Sequence, residues 1–166
     1  TDLFQRSCEM YRGGNEDYRS YFDDEASRFL EEIGYQPREF FDFVEDYCDG
    51  GSPSAESALL VAAARRDYWH VIQRKVASEK LLRPDDLPGR EQEMGGHRWL
   101  PRIIAKARAK LRGELDPDIM YGCGGDRGFL SRNDIHPADF LRAVWAAGDD
   151  DSDILAYVDS RTAGTE

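Results

Sequence analysis

The residue types best suited to chemistry sit in one short run, Tyr121-Gly122-Cys123-Gly124-Gly125-Asp126-Arg127. Glycines on both sides of a cysteine let backbone N–H groups turn toward a ligand. A cysteine just before a helix start, beside an arginine, is expected to have a lowered pKa and more thiolate. Such a thiolate could attack an electrophile, or the bare loop could hold an anion at the helix N-terminus. Cys123 and His97 are therefore the candidate catalytic residues, with His97 as proton carrier. Arg102, Gly124, Gly125, Asp126 and Arg127 are the candidate ligand-binding residues. The two arginines would supply charge-assisted hydrogen bonds to a carboxylate or phosphate, and Asp126 would orient an arginine or the histidine. The simpler reading of the same run is a glycine turn with a packed cysteine, in which Asp126 caps the next helix and Arg102 pairs with a neighbouring acid.

Other chemistries have little support. The sequence has no Cys-x-x-Cys pair, and its histidines, His70, His97 and His136, stand apart. Asp67-Tyr68-Trp69-His70 has the carboxylate-x-x-His spacing of helical di-iron bundles, but those need two such motifs and two further carboxylates. No metal and no cofactor is expected. The phosphate-loop, Gly-x-Ser-x-Gly and His-Glu-x-x-His signatures are absent from the sequence. Arg65, Arg66, Tyr68 and Trp69 mix cations and aromatics as nucleic-acid surfaces do. Helical spacing instead turns Trp69 toward a core and leaves the arginines to pair with acids of the first 50 residues.

The 166 residues carry a net charge of −11, unevenly placed. Residues 1–50 hold 14 acids and 5 Lys/Arg, residues 51–113 hold 7 and 13, and residues 114–166 hold 12 and 4. An acidic whole repels nucleic acid, so no such partner is expected. The basic middle complements the acidic ends, within one chain or across a homodimer, or faces a small anionic ligand. No apolar run approaches the ~18 residues of a membrane span. The opening residues lack the basic-then-apolar profile of a signal peptide. Three widely spaced cysteines, Cys8, Cys48 and Cys123, imply no disulfide framework. These features point to a cytoplasmic protein without a membrane partner.

The elements that must position these residues show an internal repeat. Residues 29–44 align without a gap on residues 129–144, an offset of 100. Phe29-Leu30, Pro37, Phe40 and Val44 meet Phe129-Leu130, Pro137, Phe140 and Val144, and Tyr21 and Tyr121 keep the offset. Each copy reads as a helical hairpin. Pro37 and Pro137 suit the first position of a helix, and Gly34 in one copy, Asn133 or Asp134 in the other, can end the preceding helix in the left-handed conformation. Between the copies, Ser52-Pro53 opens a helix expected to run to about Glu79 on a stripe of Ala58, Val61, Ala62, Tyr68, Trp69, Ile72 and Val76. Residues 83–97, with Pro84, Pro88, Gly89, Gly95 and Gly96, are expected to be an irregular linker. A basic helix begins near Pro101, with Leu100, Ile103, Ile104, Ala107 and Leu111 on one face and Arg102, Lys106, Lys110 and Arg112 over the rest. A last helix is expected from about Ser152 to Arg161, and residues from Thr162 onward are expected to be disordered. No strand is evident.

The stretch Met94-Gly95-Gly96-His97-Arg98-Trp99-Leu100-Pro101-Arg102-Ile103-Ile104-Ala105-Lys106-Ala107-Arg108-Ala109 is similar to the opening of a bacterial family known as a domain of unknown function. That family's pattern runs Gly-Gly, a few residues, Leu-Pro-Arg, Ile-Asp-Lys-Ala-Arg-Ala, then a tyrosine, a cysteine-containing turn and a Phe-Leu helix pair. Tyr121, Cys123, Asp126, Phe129, Leu130, Phe140 and Leu141 follow that order, so the resemblance covers roughly residues 87–160. Ala105 stands where the family has its aspartate. The turn usually reads Cys-Pro-Leu-Asp-Gln, where this chain has Cys123-Gly124-Gly125-Asp126-Arg127. The resemblance implies a bacterial domain and brings no activity.

The sequence therefore predicts an all-α fold with two repeated helical hairpins and a pseudo-twofold between them. Residues 1–82 are expected to form an N-terminal helical unit and residues 83–166 a C-terminal one, on one shared core. Functionally it predicts a binding or regulatory module for a small anionic ligand or a protein partner, with a small enzyme built on the Cys123 loop as the alternative.

Overall fold

The computed structural model describes residues 2–33 and 35–162. Gly34, expected as a left-handed helix stop, lies outside the described residues, as do residues 163–166. The chain is mostly helical, with eight α-helices among the described residues. It divides into two compact units, Thr1–Ala77 and Ser78–Glu166.

The first unit contains α1 (Asp2–Arg12), α2 (Asp24–Glu32), α3 (Pro37–Gly50) and α4 (Ala55–Val71), with a 3₁₀ turn at Tyr18–Ser20. Polar caps fix where these helices start. Asp23 accepts from the N–H of Ala26 at 2.8 Å, and Ser54 from that of Ser57 at 3.1 Å. Pro37 opens α3, where Gln36 and Glu39 form a reciprocal capping box. Gly51 closes it in the left-handed conformation at φ 68°. α1 packs on α3 through aromatic edges: Phe4 meets Phe40 at 6.0 Å and Tyr47 at 5.4 Å between ring centroids. Phe41 is the hub, ringed by Tyr11, Tyr18 and Tyr21. Edge-to-face pairs of this kind add directional energy to apolar burial.

α4 stops at Val71, well short of the expected Glu79. Arg74 and Lys75 take left-handed conformations, with φ of 51° and 62°. Val71, Ile72 and Val76 are exposed, so the apolar stripe beyond that point has nothing to cover. Helix extension draws most of its stability from such packing, and without it the last turns do not form. Arg65, one of the arginines expected to pair with acids of the first 50 residues, is buried. Its guanidinium lies over the Trp69 ring at 5.3 Å and donates to Gln73 Oε1 at 2.8 Å.

The second unit contains α5 (Leu100–Arg112), α6 (Gly124–Arg132), α7 (Pro137–Ala147) and α8 (Asp151–Thr162), with Thr162 helical rather than disordered. α5 packs on α7, and α7 on α8. The linker is more regular than its prolines and glycines suggest. It holds a 3₁₀ turn at Pro84–Asp86 and a two-stranded antiparallel ribbon, β1 (Glu93–Met94) and β2 (His97–Arg98). Gly95 and Gly96, at φ 57° and 83°, supply the two consecutive positive angles that a tight hairpin turn requires. The predicted apolar face of α5 is buried at Leu100, Ile103, Ile104, Ala107 and Leu111, and Gly113 ends the helix at φ 71°. Lys106 and Lys110, expected outside that apolar face, are buried as well.

Both stretches singled out by the repeat fold as helix, turn, helix: α2–α3 and α6–α7. Their turns close with equivalent bonds, Tyr35 N to Leu30 O at 2.8 Å and Ile135 N to Leu130 O at 2.9 Å. Leu30 and Leu130, Val44 and Val144, and Tyr21 and Tyr121 are buried alike. The burial differs elsewhere: Phe40 is half-buried where Phe140 is buried, and, most widely, Phe29 is 48% exposed and Phe129 is 1% exposed. Phe129→Ala is accordingly expected to cost about 3–5 kcal/mol, and Phe29→Ala within about 1 kcal/mol, near the range for an exposed position. Urea unfolding of the two variants checks this, and equal losses would contradict the difference in burial.

Candidate functional site

Cys123 is the N-cap of α6, with extended backbone at φ −62° and ψ 170°. Gly124 and Gly125 form the first helical positions and are exposed, whereas Asp126 one residue later is fully buried at 0%. A buried carboxylate must be compensated by donors, and Asp126 has three. Its Oδ1 accepts from Trp99 Nε1 at 2.9 Å. Its Oδ2 accepts from Lys106 Nζ at 2.5 Å and from the backbone N–H of Gly122 at 2.9 Å. Lys106, 3% exposed, also donates to Cys123 Sγ at 3.2 Å. Cation, carboxylate, thiol and indole thus form one cluster between the first turns of α6 and the middle of α5.

Local backbone conformations hold the cluster in place. Trp99 precedes α5 in a left-handed conformation at φ 77°, which a bulky residue adopts only when its surroundings enforce it. That turn is what aims the indole N–H at Asp126. The ring then lies so close to α6 that a Cβ on Gly125 would fall 2.3 Å from Trp99 Cζ2. Gly125 therefore serves to admit an aromatic ring. Gly124 has nothing within 4 Å of an added Cβ. Gly122, at φ 89°, turns its N–H back to the carboxylate.

The remaining predicted residues are engaged as follows. Arg127 Nη1 donates to the Gly122 carbonyl at 2.7 Å, bracing the same turn. Arg102 Nη1 donates to the Pro88 carbonyl at 2.7 Å, and its guanidinium sits 5.6 Å from the Trp99 ring centroid. His97 Nε2 is 2.8 Å from Asp159 Oδ1, which couples the ribbon to α8. The cluster thus brings together Cys123, Asp126 and the glycines, with Arg102 adjoining through Trp99. Lys106 and Trp99 were not among the candidates.

The first unit carries a concavity that the sequence did not indicate. A groove of about 300 Å³ opens between α1, α2, α3 and α4, lined by Phe4, Phe29, Ile33, Phe40, Phe43 and Leu59 among others. Phe29 and Leu59, at its edge, are both about half exposed (48% and 56%). A second, more open concavity of about 530 Å³ adjoins it, sharing Leu3 and Phe29 and adding Asp2, Arg6, Asp23 and Glu25. Arg6 pairs with Asp23 at 3.6 Å.

Residues 87–165 match a family model described as a domain of unknown function, DUF5069. The match covers α5 to α8 and the whole Cys123 cluster, where the sequence resemblance placed it, and leaves the groove outside. No curated protein and no solved structure matches the chain. No described helix is long and apolar enough to cross a membrane.

The donor arrangement around Asp126 sets an order of costs. Asp126→Ala strands the buried ammonium of Lys106 and should cost about 3–5 kcal/mol. Lys106→Met should cost less, because the carboxylate keeps the Trp99 and Gly122 donors. Chemical denaturation followed by tryptophan fluorescence gives both values, and an Asp126→Ala midpoint equal to that of the native chain would show that the pair does not hold the unit together.

Proposed function

We propose that the chain is a binding module whose first unit takes the apolar face of a basic amphipathic helix from a protein partner. The observation that carries this reading is the solvent-open apolar groove with Phe29 and Leu59 at its edge. Contiguous exposed apolar surface of this kind marks interaction sites more than stability, and a groove between helices suits helix-in-groove recognition. Charge selects the sign of the partner. Residues 1–77 hold 16 acids against 9 Lys/Arg, and Glu56 with Asp2, Asp23 and Glu25 lines the groove and the concavity beside it. A cationic rim on the incoming helix would be drawn to this surface, and an acidic one repelled. Synthetic Leu/Lys and Leu/Glu helical peptides of equal length test it by fluorescence anisotropy. The Leu/Lys peptide should bind, and Phe29→Ser or Leu59→Ser should weaken it at least about tenfold, the effect of losing one buried apolar side chain. Equal binding of both peptides, or unchanged affinity in both variants, would sink the reading. A dimer that occupies the groove and dissolves in Phe29→Ser would replace the partner by a second copy.

A second reading rests on the Lys106–Cys123 contact. A half-exposed cysteine at a helix N-terminus, held by an ammonium 3.2 Å away, suits a small enzyme or anion site on the Cys123 loop. With Cys8 and Cys48 changed to serine, Cys123 should then react with iodoacetamide faster than a free thiol, and phosphate should slow that reaction. Ordinary reactivity that phosphate leaves unchanged would remove this reading.

A further inference from the structure

Two thiols outside the Cys123 cluster lie together in the first unit. Cys8 is buried on α1, and Cys48 is half-buried on α3, the helix that α1 packs against. They are forty positions apart, yet Cys48 Sγ lies 3.9 Å from the Cys8 carbonyl oxygen. We propose that Cys8 and Cys48 are a redox-active dithiol that closes to a disulfide by exchange with a low-molecular-weight disulfide, fastening α1 to α3.

The surroundings support this. The Cys8 thiol is pushed up to about 12, first by burial and then by its hydrogen bond with Cys48 and the charge there, with Arg12 opposing and Glu9 adding. The Tyr21 phenol is raised by burial and then by the charges of Cys48 and Cys8. Cys48 is the more accessible sulfur, so it reacts first. As its thiolate it attacks one sulfur of the small disulfide. That S–S bond breaks, one small thiol leaves with a proton, and Cys48 holds the other half as a mixed disulfide. Capping leaves the mixed-disulfide sulfur of Cys48 as the electrophile beside Cys8. Cys8 then gives up its proton, attacks Cys48 Sγ and expels the second small thiol. The protein dithiol loses two electrons and the small disulfide becomes two thiols. Cys123 lies in the other unit and takes no part.

The cross-link would also fix the spacing between two walls of the groove, Leu3 and Phe4 on α1 and Phe40 and Phe43 on α3. That consequence rests on the proposed function, whereas formation of the bond does not. The experiment treats the full chain with oxidised glutathione, then reads intact mass, peptide map, iodoacetamide labelling and melting temperature. The expected product has lost two hydrogens, retains no glutathione, carries a Cys8–Cys48 peptide link and labels at Cys123 alone. Its melting temperature should rise by at least about 5 °C, as a loop of this length constrains the unfolded chain. Cys8→Ser should keep one glutathione on Cys48. Unchanged thiol content, a glutathione adduct retained by the native chain, or a disulfide that includes Cys123 would overturn the proposal, and each is read on the native chain whatever the stability of the variant.

Discussion

A carboxylate with no exposure to water is the constraint around which the second unit is arranged. Asp126 can stay charged only if donors replace the water it has lost, and each donor imposes a condition elsewhere. Lys106 must reach it from the middle of α5, which fixes how α5 lies along α6. Gly122 must present its N–H from a left-handed turn, which only glycine adopts at little cost. Trp99 must bring its indole across, so it too takes a left-handed conformation, and Gly125 must lack a side chain to admit the ring. Removing Asp126 leaves the Lys106 ammonium buried without its carboxylate, whereas removing one donor leaves the carboxylate with the other two.

The first unit is organised differently. Its core is a set of aromatic rings around Phe41 and Phe4, and among its charged residues Glu39, Asp42 and Arg65 are buried. Beside this aromatic core the groove lies open, lined by Phe4, Phe29, Phe40 and Phe43 with side chains of α4. The two hairpins show the consequence. The second encloses its phenylalanine, Phe129, and the first leaves Phe29 at the groove edge. In both stretches a proline opens the second helix, while burial differs, because burial depends on what else in each unit reaches that position.

Much of this was legible in the sequence, for local reasons. Pro37 and Pro137 at helix starts, Gly113 at a helix stop and the apolar face of α5 act within a few residues of themselves. The Gly95-Gly96 ribbon was also legible and was missed, since two glycines between short flanking runs are a hairpin signal. The two buried lysines had a signal of their own. Ile103, Lys106, Ala107, Lys110 and Leu111 follow the i, i+3, i+4, i+7, i+8 spacing of a buried face, so a charge within that set calls for a buried partner. Which partner could not be read, because Asp126 lies twenty positions away across a turn. The end of α4 was not legible either: its apolar stripe continues in sequence through Val76, and only the tertiary structure reveals that no surface meets it. The groove left no local mark, as its lining comes from four helices whose apolar residues read as ordinary core.

The balance between the two functional readings turns on whether the cations of the Cys123 region are available. An anion at the start of α6 would need charge from Lys106, Arg127 or Arg102. Lys106 already faces Asp126, Arg127 holds the Gly122 carbonyl, and Arg102 holds the Pro88 carbonyl and covers Trp99. His97, the only proton carrier proposed there, is held by Asp159. Recruiting any of them would break a bond that positions the cluster, so what remains for an anion is the helix N-terminus alone, whose effect is weak where solvent reaches it. The groove makes no such demand, because its apolar lining loses only water when a partner enters. On this ground the cluster reads first as the brace of the second unit, and the proposed recognition is assigned to the first.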